Sequence, residues 1–174
     1  MSRIPPIPPG LAALDMRITR AMARHGLPLL RVSLGVVFLW FGALKLFPGL
    51  SPAQVLATKT ISVLTFGLVP PEVSLPVLAV WECVIGLGLL AGVRLREVLL
   101  LLFLQMAGTL TPVFLFPEEV FSRVPYAPTL EGQYIIKNVV LVAAGIVVGA
   151  TVRGGRVVAD PPDGGGVGGP SASG

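Results

Sequence analysis

The chain has 174 residues, of which 53% are hydrophobic and 13% are charged, and its formal net charge is +4. This composition lies well away from the globular average, and it excludes an ordinary soluble domain. Because no basic patch with interleaved aromatic residues is present in the sequence, the positive charge does not indicate nucleic-acid binding.

Residues 1–26 are predicted to form a basic cytoplasmic arm. Residues 2–10 are rich in proline and favour an extended chain, and an apolar stripe at helical spacing follows beside three arginines. This stripe consists of Leu11, Leu14, Ile18 and Met22. It predicts a short amphipathic helix on the inner membrane surface, with a solvated basic arm as the alternative. Since no cleavable signal peptide is apparent, we expect the first span to act as the insertion signal.

Four apolar runs are long enough to cross about 30 Å of hydrocarbon. They lie at about 27–47, 73–93, 98–116 and 134–151. Each must be helical, because lipid offers no water to satisfy an open backbone. The predicted fold class is an all-α polytopic membrane protein, with a four-transmembrane-helix bundle over residues 27–152. The Gly- and Pro-rich residues 153–174 predict a disordered cytoplasmic tail.

Arginine and lysine set the expected orientation. They are concentrated before span one, between spans two and three, and after span four. By the positive-inside rule, both termini are expected in the cytoplasm. The loops at 48–72 and 117–133 are then outside.

The loop after span one predicts an additional, interfacial helix on the outer side. Pro48 ends the span, and Ser51 and Pro52 supply an N-cap followed by proline at the first helical position. A polar face at helical spacing follows, made of Gln54, Thr58, Ser62 and Thr65. This helix either covers the bundle like a lid or is an ordinary connection.

Glu82 is the first functional candidate, because it is the only acidic residue inside any predicted span. A carboxylate at bilayer depth costs several kcal/mol, roughly 2.5 to 3.5 for Asp on insertion scales, so it usually faces a bundle interior, a partner or a water-filled cavity. We predict Glu82 and Lys137 as catalytic residues that handle protons and hold a ligand. The alternative is a buried Glu82–Lys137 ion pair that only fixes helix register.

Several other polar and aromatic residues fall near Glu82 when depth is counted at about 1.5 Å per residue. The predicted ligand-binding residues are Lys45, Gln105, Thr109, Asn138, Trp40 and Trp81. A metal site is not expected, since His25 and Cys83 lie at opposite membrane depths. A single cysteine also excludes an intramolecular disulfide and any Cys-x-x-Cys motif.

Three segments resemble the DoxX-like family of small four-span bacterial membrane proteins, including its YkgB-like branch. They are RVSLGVVFLWFGALKLFP at 31–48, WECVIGLGLLAG at 81–92 and PTLEGQYIIKNVVL at 128–141. The resemblance covers roughly residues 28–151, and GQYIIKN is its most specific motif. The matched polar positions are Arg31, Lys45, Glu82, Lys137 and Asn138.

The resemblance implies a four-helix bundle, and some relatives are described as membrane subunits of quinone-linked sulfur oxidoreductases or antioxidant complexes. It therefore implies a subunit of a quinone-linked redox or oxidative-stress system, with an outward-opening polar pocket around Glu82. One cysteine cannot carry out thiol–disulfide turnover alone, so such a role requires a bound quinone or a redox partner protein. A homo-oligomer is a further candidate assembly. The alternatives are a small metabolite or ion transporter that uses Glu82 as its coupling carboxylate, and a membrane scaffold without chemistry.

Overall fold

The structure is a computed structural model that describes residues 9–47, 49–51 and 54–158. The predictions made for Pro48, Pro52, the start of the proline-rich segment and most of the C-terminal tail lie outside these residues. The chain divides into two units, one formed by residues 1–26 with 156–174 and the other by residues 27–155. Each unit is described by itself.

Within the described residues the chain forms seven helices and two short strands. They are α1 Pro9–Leu44, α2 Gln54–Leu64, α3 Pro71–Ala91, α4 Leu95–Leu110, α5 Pro112–Leu115, α6 Pro117–Val120, β1 Phe121–Arg123, β2 Ala127–Pro128 and α7 Leu130–Ala150. Four helical segments are long and apolar enough to cross a membrane, namely 11–44, 71–91, 95–115 and 130–150. The predicted four-span helical fold is confirmed, and the antiparallel β1–β2 hairpin is an addition that the sequence analysis did not contain.

Helix α1 differs from the expected division into a surface helix and a span. It is one helix of 36 residues with Pro28 inside. The predicted amphipathic segment and the first predicted span thus belong to one helix, and the boundary between the two units falls within it, between residues 26 and 27. In the N-terminal unit, Leu11, Leu14, Ile18 and Met22 are exposed, and their contact with the membrane surface stays a prediction.

The main hydrophobic core joins α1, α3, α4 and α7. It contains Leu34, Phe38, Ile85, Leu89, Val98, Leu99, Leu102, Met106, Ala144 and Val148. Apart from the adjacent Val98 and Leu99, the residues on each helix recur at intervals of three or four, which places them on one face. The connection from α3 to α4 passes through Gly92, whose left-handed conformation (φ 69°) ends α3.

Helices α1 and α3 approach closely at three glycines. A Cβ at Gly86 would lie 2.5 Å from the backbone nitrogen of Leu39 and 2.8 Å from the carbonyl oxygen of Gly35. A Cβ at Gly42 would lie 2.8 Å from the Cβ of Glu82. Small residues allow membrane helices to pack backbone to backbone. This crossing brings the C-terminal end of α1 directly against Glu82.

The region of the bundle where α1 ends and α3 begins lies next to α2, and we name it the α2 end. Helix α2 packs against α3, α4 and α5. A second small core lies here, formed by Leu56, Val120 and Ile135. Thr129 caps α7 by accepting a hydrogen bond from the backbone N–H of Gly132. At this end α2 thus packs on α3 and α4, and the segment from α5 to β2 packs on α4 and α7.

Candidate functional site

Glu82 on α3 is 6% exposed, and both of its carboxylate oxygens have partners. The ammonium of Lys45 lies 2.6 Å from Oε2, and Nε2 of Gln105 donates to Oε1 at 2.7 Å. Hydrogen bonds to an ionised group are short and about twice as strong as neutral ones. The three side chains form what we call the polar cluster: an acid, a base and an amide from α1, α3 and α4.

Lys45 reaches Glu82 because of where α1 ends. Lys45 is the first residue after α1, and the close α1–α3 approach at Gly42 is three residues earlier. Its ammonium also donates to the carbonyl oxygen of Phe41 at 3.3 Å. The last carbonyls of a helix lack partners within the helix and carry partial negative charge. Lys45 therefore neutralises both the end of α1 and the carboxylate of Glu82.

Gln105 is 8% exposed and has one polar atom without a partner. Its Oε1 is buried and has no hydrogen-bond donor among the residues that the structure describes. One turn further along α4, the hydroxyl of Thr109 donates to the backbone carbonyl of Gln105 at 3.0 Å. The hydroxyl proton of Thr109 is used in this bond to the backbone, so Thr109 does not donate to the side-chain oxygen of Gln105.

The polar cluster lies on the wall of a cavity of about 490 Å³. The cavity is lined from α1, α2, α3, α4 and α7, and most of its wall is aliphatic or aromatic. Its aromatic side chains are Phe38, Phe41, Trp81 and Tyr134, and its polar ones are Lys45, Ser51, Thr60, Thr65, Ser74, Glu82, Gln105, Thr109 and Asn138. An apolar cavity of a few hundred Å³ with a few convergent polar groups is the usual form of a small-molecule site.

Helix α2 provides the wall of the cavity at the α2 end. Its buried residues are Leu56 and Thr60, and both line the cavity. Of the polar face predicted for this helix, only Thr65 lines it. Lys59 of α2, which does not line the cavity, forms an ion pair with Glu119 of α6 and lies 4.3 Å from the centre of the Phe116 ring. This exposed contact attaches α2 to the segment that follows α5.

Six of the predicted site residues lie together in the structure. Glu82, Lys45, Gln105, Thr109, Asn138 and Trp81 all line the cavity. Trp81 is also fixed in place, since its indole N–H donates to the carbonyl of Leu101 at 3.1 Å. Counting helix rise along the sequence had grouped these residues as candidates, and their role in binding stays a prediction.

Lys137 and Trp40 are not placed as expected. Lys137 is exposed on α7, and within the described residues it forms no ion pair, so Lys45 takes the place predicted for it beside Glu82. Trp40 is 66% exposed and lies in a surface groove of α1 with Val36. Both residues lie on faces of their helices that are turned away from the cavity. Adjacent residues differ by about 100°, so Asn138 faces the cavity where Lys137 does not.

Phe38, Phe41, Thr60 and Tyr134 are among the lining residues that were not predicted as part of the site. A signal for three of them was present in the sequence. Phe38 and Phe41 precede Lys45 at helical spacing, and Tyr134 precedes Asn138 by four residues, so each shares a helix face with a predicted ligand-binding residue. Thr60 had no such signal, because its contact depends on how α2 packs.

Arg31 has a different place from the other matched polar positions. Its Nη1 donates to the carbonyl oxygen of Leu89 at 2.9 Å. This carbonyl belongs to the last turn of α3, which Gly92 ends. A cation at a helix C-terminus satisfies an unpaired carbonyl and the helix dipole. Arg31 thus stabilises the end of α3 away from the cavity.

Four membrane-crossing helices around an internal cavity, with a buried acid, base and amide on its wall, define a polytopic membrane protein whose candidate site lies inside its bundle. The DoxX family model matches residues 26–116, more than half of the chain. The protein belongs to the DoxX family. The matched region contains Lys45, Glu82, Gln105 and Thr109. No curated protein and no solved structure matched the chain.

Proposed function

We propose that the protein is a membrane subunit of a quinone-linked redox or oxidative-stress system, and that its cavity binds the quinone head group. The observation that carries this proposal is the polar cluster on the wall of an otherwise apolar cavity of about 490 Å³. A quinone has the same division of chemistry, because its ring and tail are apolar and its two carbonyl oxygens accept hydrogen bonds.

The residues of the wall suit the parts of such a ligand. Phe41 and Trp81 provide flat apolar surfaces against which an aromatic or quinoid ring packs in offset or edge-to-face geometry. The ammonium of Lys45 is a donor for a ring carbonyl. In this proposal Lys45 and Glu82 also supply and accept protons, since quinone reduction takes up two electrons and two protons.

A partner protein would supply the electrons. Cys83 is the only cysteine in the chain, so a dithiol within this chain cannot deliver two electrons. The positive-inside pattern supports an arrangement in the plasma membrane with both termini in the cytoplasm. In that arrangement the α2 end, and with it the cavity wall formed by α2, lies on the outer side of the membrane.

The two tryptophans give a direct test, because only one lines the cavity. A Trp40→Phe protein retains Trp81 as its sole tryptophan, and a Trp81→Phe protein retains Trp40 on the outer surface. Titration with a short-chain quinone in mild detergent is expected to quench Trp81 saturably. Quenching of Trp40 should rise linearly, as for nonspecific partitioning. Linear quenching of both residues would refute the proposal.

A transporter is the second candidate, and the buried Lys45–Glu82 pair at a cavity supports it. A carboxylate that changes its protonation or its partner is a common way to couple transport to an ion gradient. In proteoliposomes, gradient-driven uptake that is lost in Glu82→Gln and retained in Glu72→Gln would favour transport. Glu72 is exposed near the start of the same helix, which makes it a matched control.

A further inference from the structure

The unpaired acceptor on Gln105 carries information about the ligand. Gln105 lines the cavity and is more than nine-tenths buried, and its Oε1 has no donor within the described part of the chain. Buried polar atoms in proteins are almost always hydrogen-bonded, and an unpaired one calls for an explanation. A ligand group that donates a hydrogen bond provides one.

The orientation of this amide follows from its neighbour. Nε2 of Gln105 donates to Oε1 of Glu82 at 2.7 Å. Rotating the amide by 180° would place its oxygen against a carboxylate oxygen, and two acceptors repel each other. The amide oxygen is therefore directed away from Glu82 and needs a donor from elsewhere.

Lys45 adds the complementary group. An ammonium has three N–H donors. Within the described residues, Lys45 uses one toward Glu82 and one toward the carbonyl of Phe41. Lys45 therefore has a donor to spare, and Gln105, which also lines the cavity, has an acceptor without a partner. A quinone can satisfy only the donor, because its oxygens do not carry protons, whereas a quinol hydroxyl can satisfy either.

We propose that the cavity selects the reduced, hydroxyl-bearing form of its ligand, with Gln105 accepting a hydrogen bond from a ring hydroxyl. This inference rests on the proposed function and deepens it, because it assigns a redox state to the preferred ligand. Binding of the oxidised form leaves the Gln105 acceptor unpaired. The penalty of an unpaired buried acceptor corresponds to an affinity about tenfold or more below that of the reduced form.

The test compares three ligands of nearly the same shape on the full-length protein in detergent without oxygen. They are decyl-benzoquinone, its two-electron-reduced quinol, and the dimethyl ether of that quinol, which cannot donate. Isothermal titration calorimetry gives each Kd. The quinol is expected to bind about tenfold tighter than the quinone, and the ether no more tightly than the quinone.

A pair of variants assigns the effect to Gln105. Gln105→Met keeps the length of the side chain and removes the acceptor, so quinol affinity should fall to within about twofold of quinone affinity. Gln133→Met, on the exposed surface of α7, should keep the preference. The ligand series alone remains decisive if Gln105→Met does not fold.

The outcomes separate the two proposals. Saturable binding of quinone and quinol with equal Kd, or tighter binding of the quinone, overturns the inference and leaves quinone binding intact. The same holds if the quinol and its ether bind equally. Absence of saturable binding for all three ligands overturns the proposed function, and the inference with it.

Discussion

The two halves of the bundle are built from the same helices but filled differently. Away from α2, Ile85, Leu89 and Leu102 are completely buried, and glycines let the helix backbones touch. At the α2 end, the helices enclose a cavity of about 490 Å³ with a buried ion pair on its wall. Protein interiors are normally packed to the density of organic crystals. The first half follows that rule, and the second departs from it.

This difference shows which half supports the fold and which is available for binding. A buried ion pair is weak evidence for a stabilising role, because removing two charges from water can exceed their attraction. Close-packed aliphatic residues in place of the ion pair and the cavity would hold the helices together equally well, so stability alone does not account for either. The packed half therefore holds the helices in place, and we expect substitutions in the two halves to affect different measurements.

The largest effect is expected from Lys45→Met. It leaves Glu82 buried without its cation, and breaking one partner of a buried pair typically costs about 3–5 kcal/mol. Lys137→Met is the control, since Lys137 is exposed on α7, and its unfolding free energy should be close to wild type. Reversible unfolding in mixed detergent micelles measures both.

The Lys45→Met/Glu82→Gln double variant should recover much of the loss, since no unpaired charge remains. If Lys137→Met is as destabilising as Lys45→Met, then Lys137 contributes a contact that the present geometry does not contain, and its predicted pairing with Glu82 must be reconsidered.

A smaller effect is expected from Gly86→Ala in the packed half. The added methyl would lie 2.5 Å from the backbone nitrogen of Leu39, which cannot move without displacing α1. Overpacking of this kind costs about 1–3 kcal/mol. Gly108→Ala on α4 is the matched control, because no atom lies within 4 Å of its added Cβ. It should be neutral or more stable by up to about 1 kcal/mol, since alanine favours a helix.

Thermal unfolding of the two alanine variants checks the sign of each change. Equal destabilisation of both variants would contradict the distinction between a packed half and an open half.

The smallest effect on stability is expected from Lys59→Ala at the α2 end. The Lys59–Glu119 pair is exposed, so its loss should change the unfolding free energy by less than about 1 kcal/mol. It should still loosen α2, because local opening depends on the few contacts of the segment concerned. Hydrogen exchange is expected to accelerate in the backbone amides of α2 and to stay unchanged in α3. Unchanged exchange in α2 would exclude a role for this contact in holding the cavity wall.

Much of the fold was predictable from the sequence, because a membrane span is recognised by length and hydrophobicity alone. The predicted spans at 73–93 and 134–151 overlap α3 and α7 closely. The constant rise per residue of a helix also allowed Glu82, Gln105 and Thr109 to be grouped as one candidate pocket. The roles of these residues, and those of Lys137 and Trp40, stay predictions until ligand binding is measured.

By itself, the sequence determined that the chain is a four-span helical membrane protein with a single buried acid at mid-depth, because hydrophobic length and charge are local properties. Only the tertiary structure decided which lysine faces that acid, which tryptophan lines the cavity and which residues of α2 close it. These depend on rotation about each helix axis and on the close α1–α3 crossing at Gly42 and Gly86. The spacing of residues along one helix specifies neither the rotation of that helix nor the crossing, because both are defined relative to a second helix.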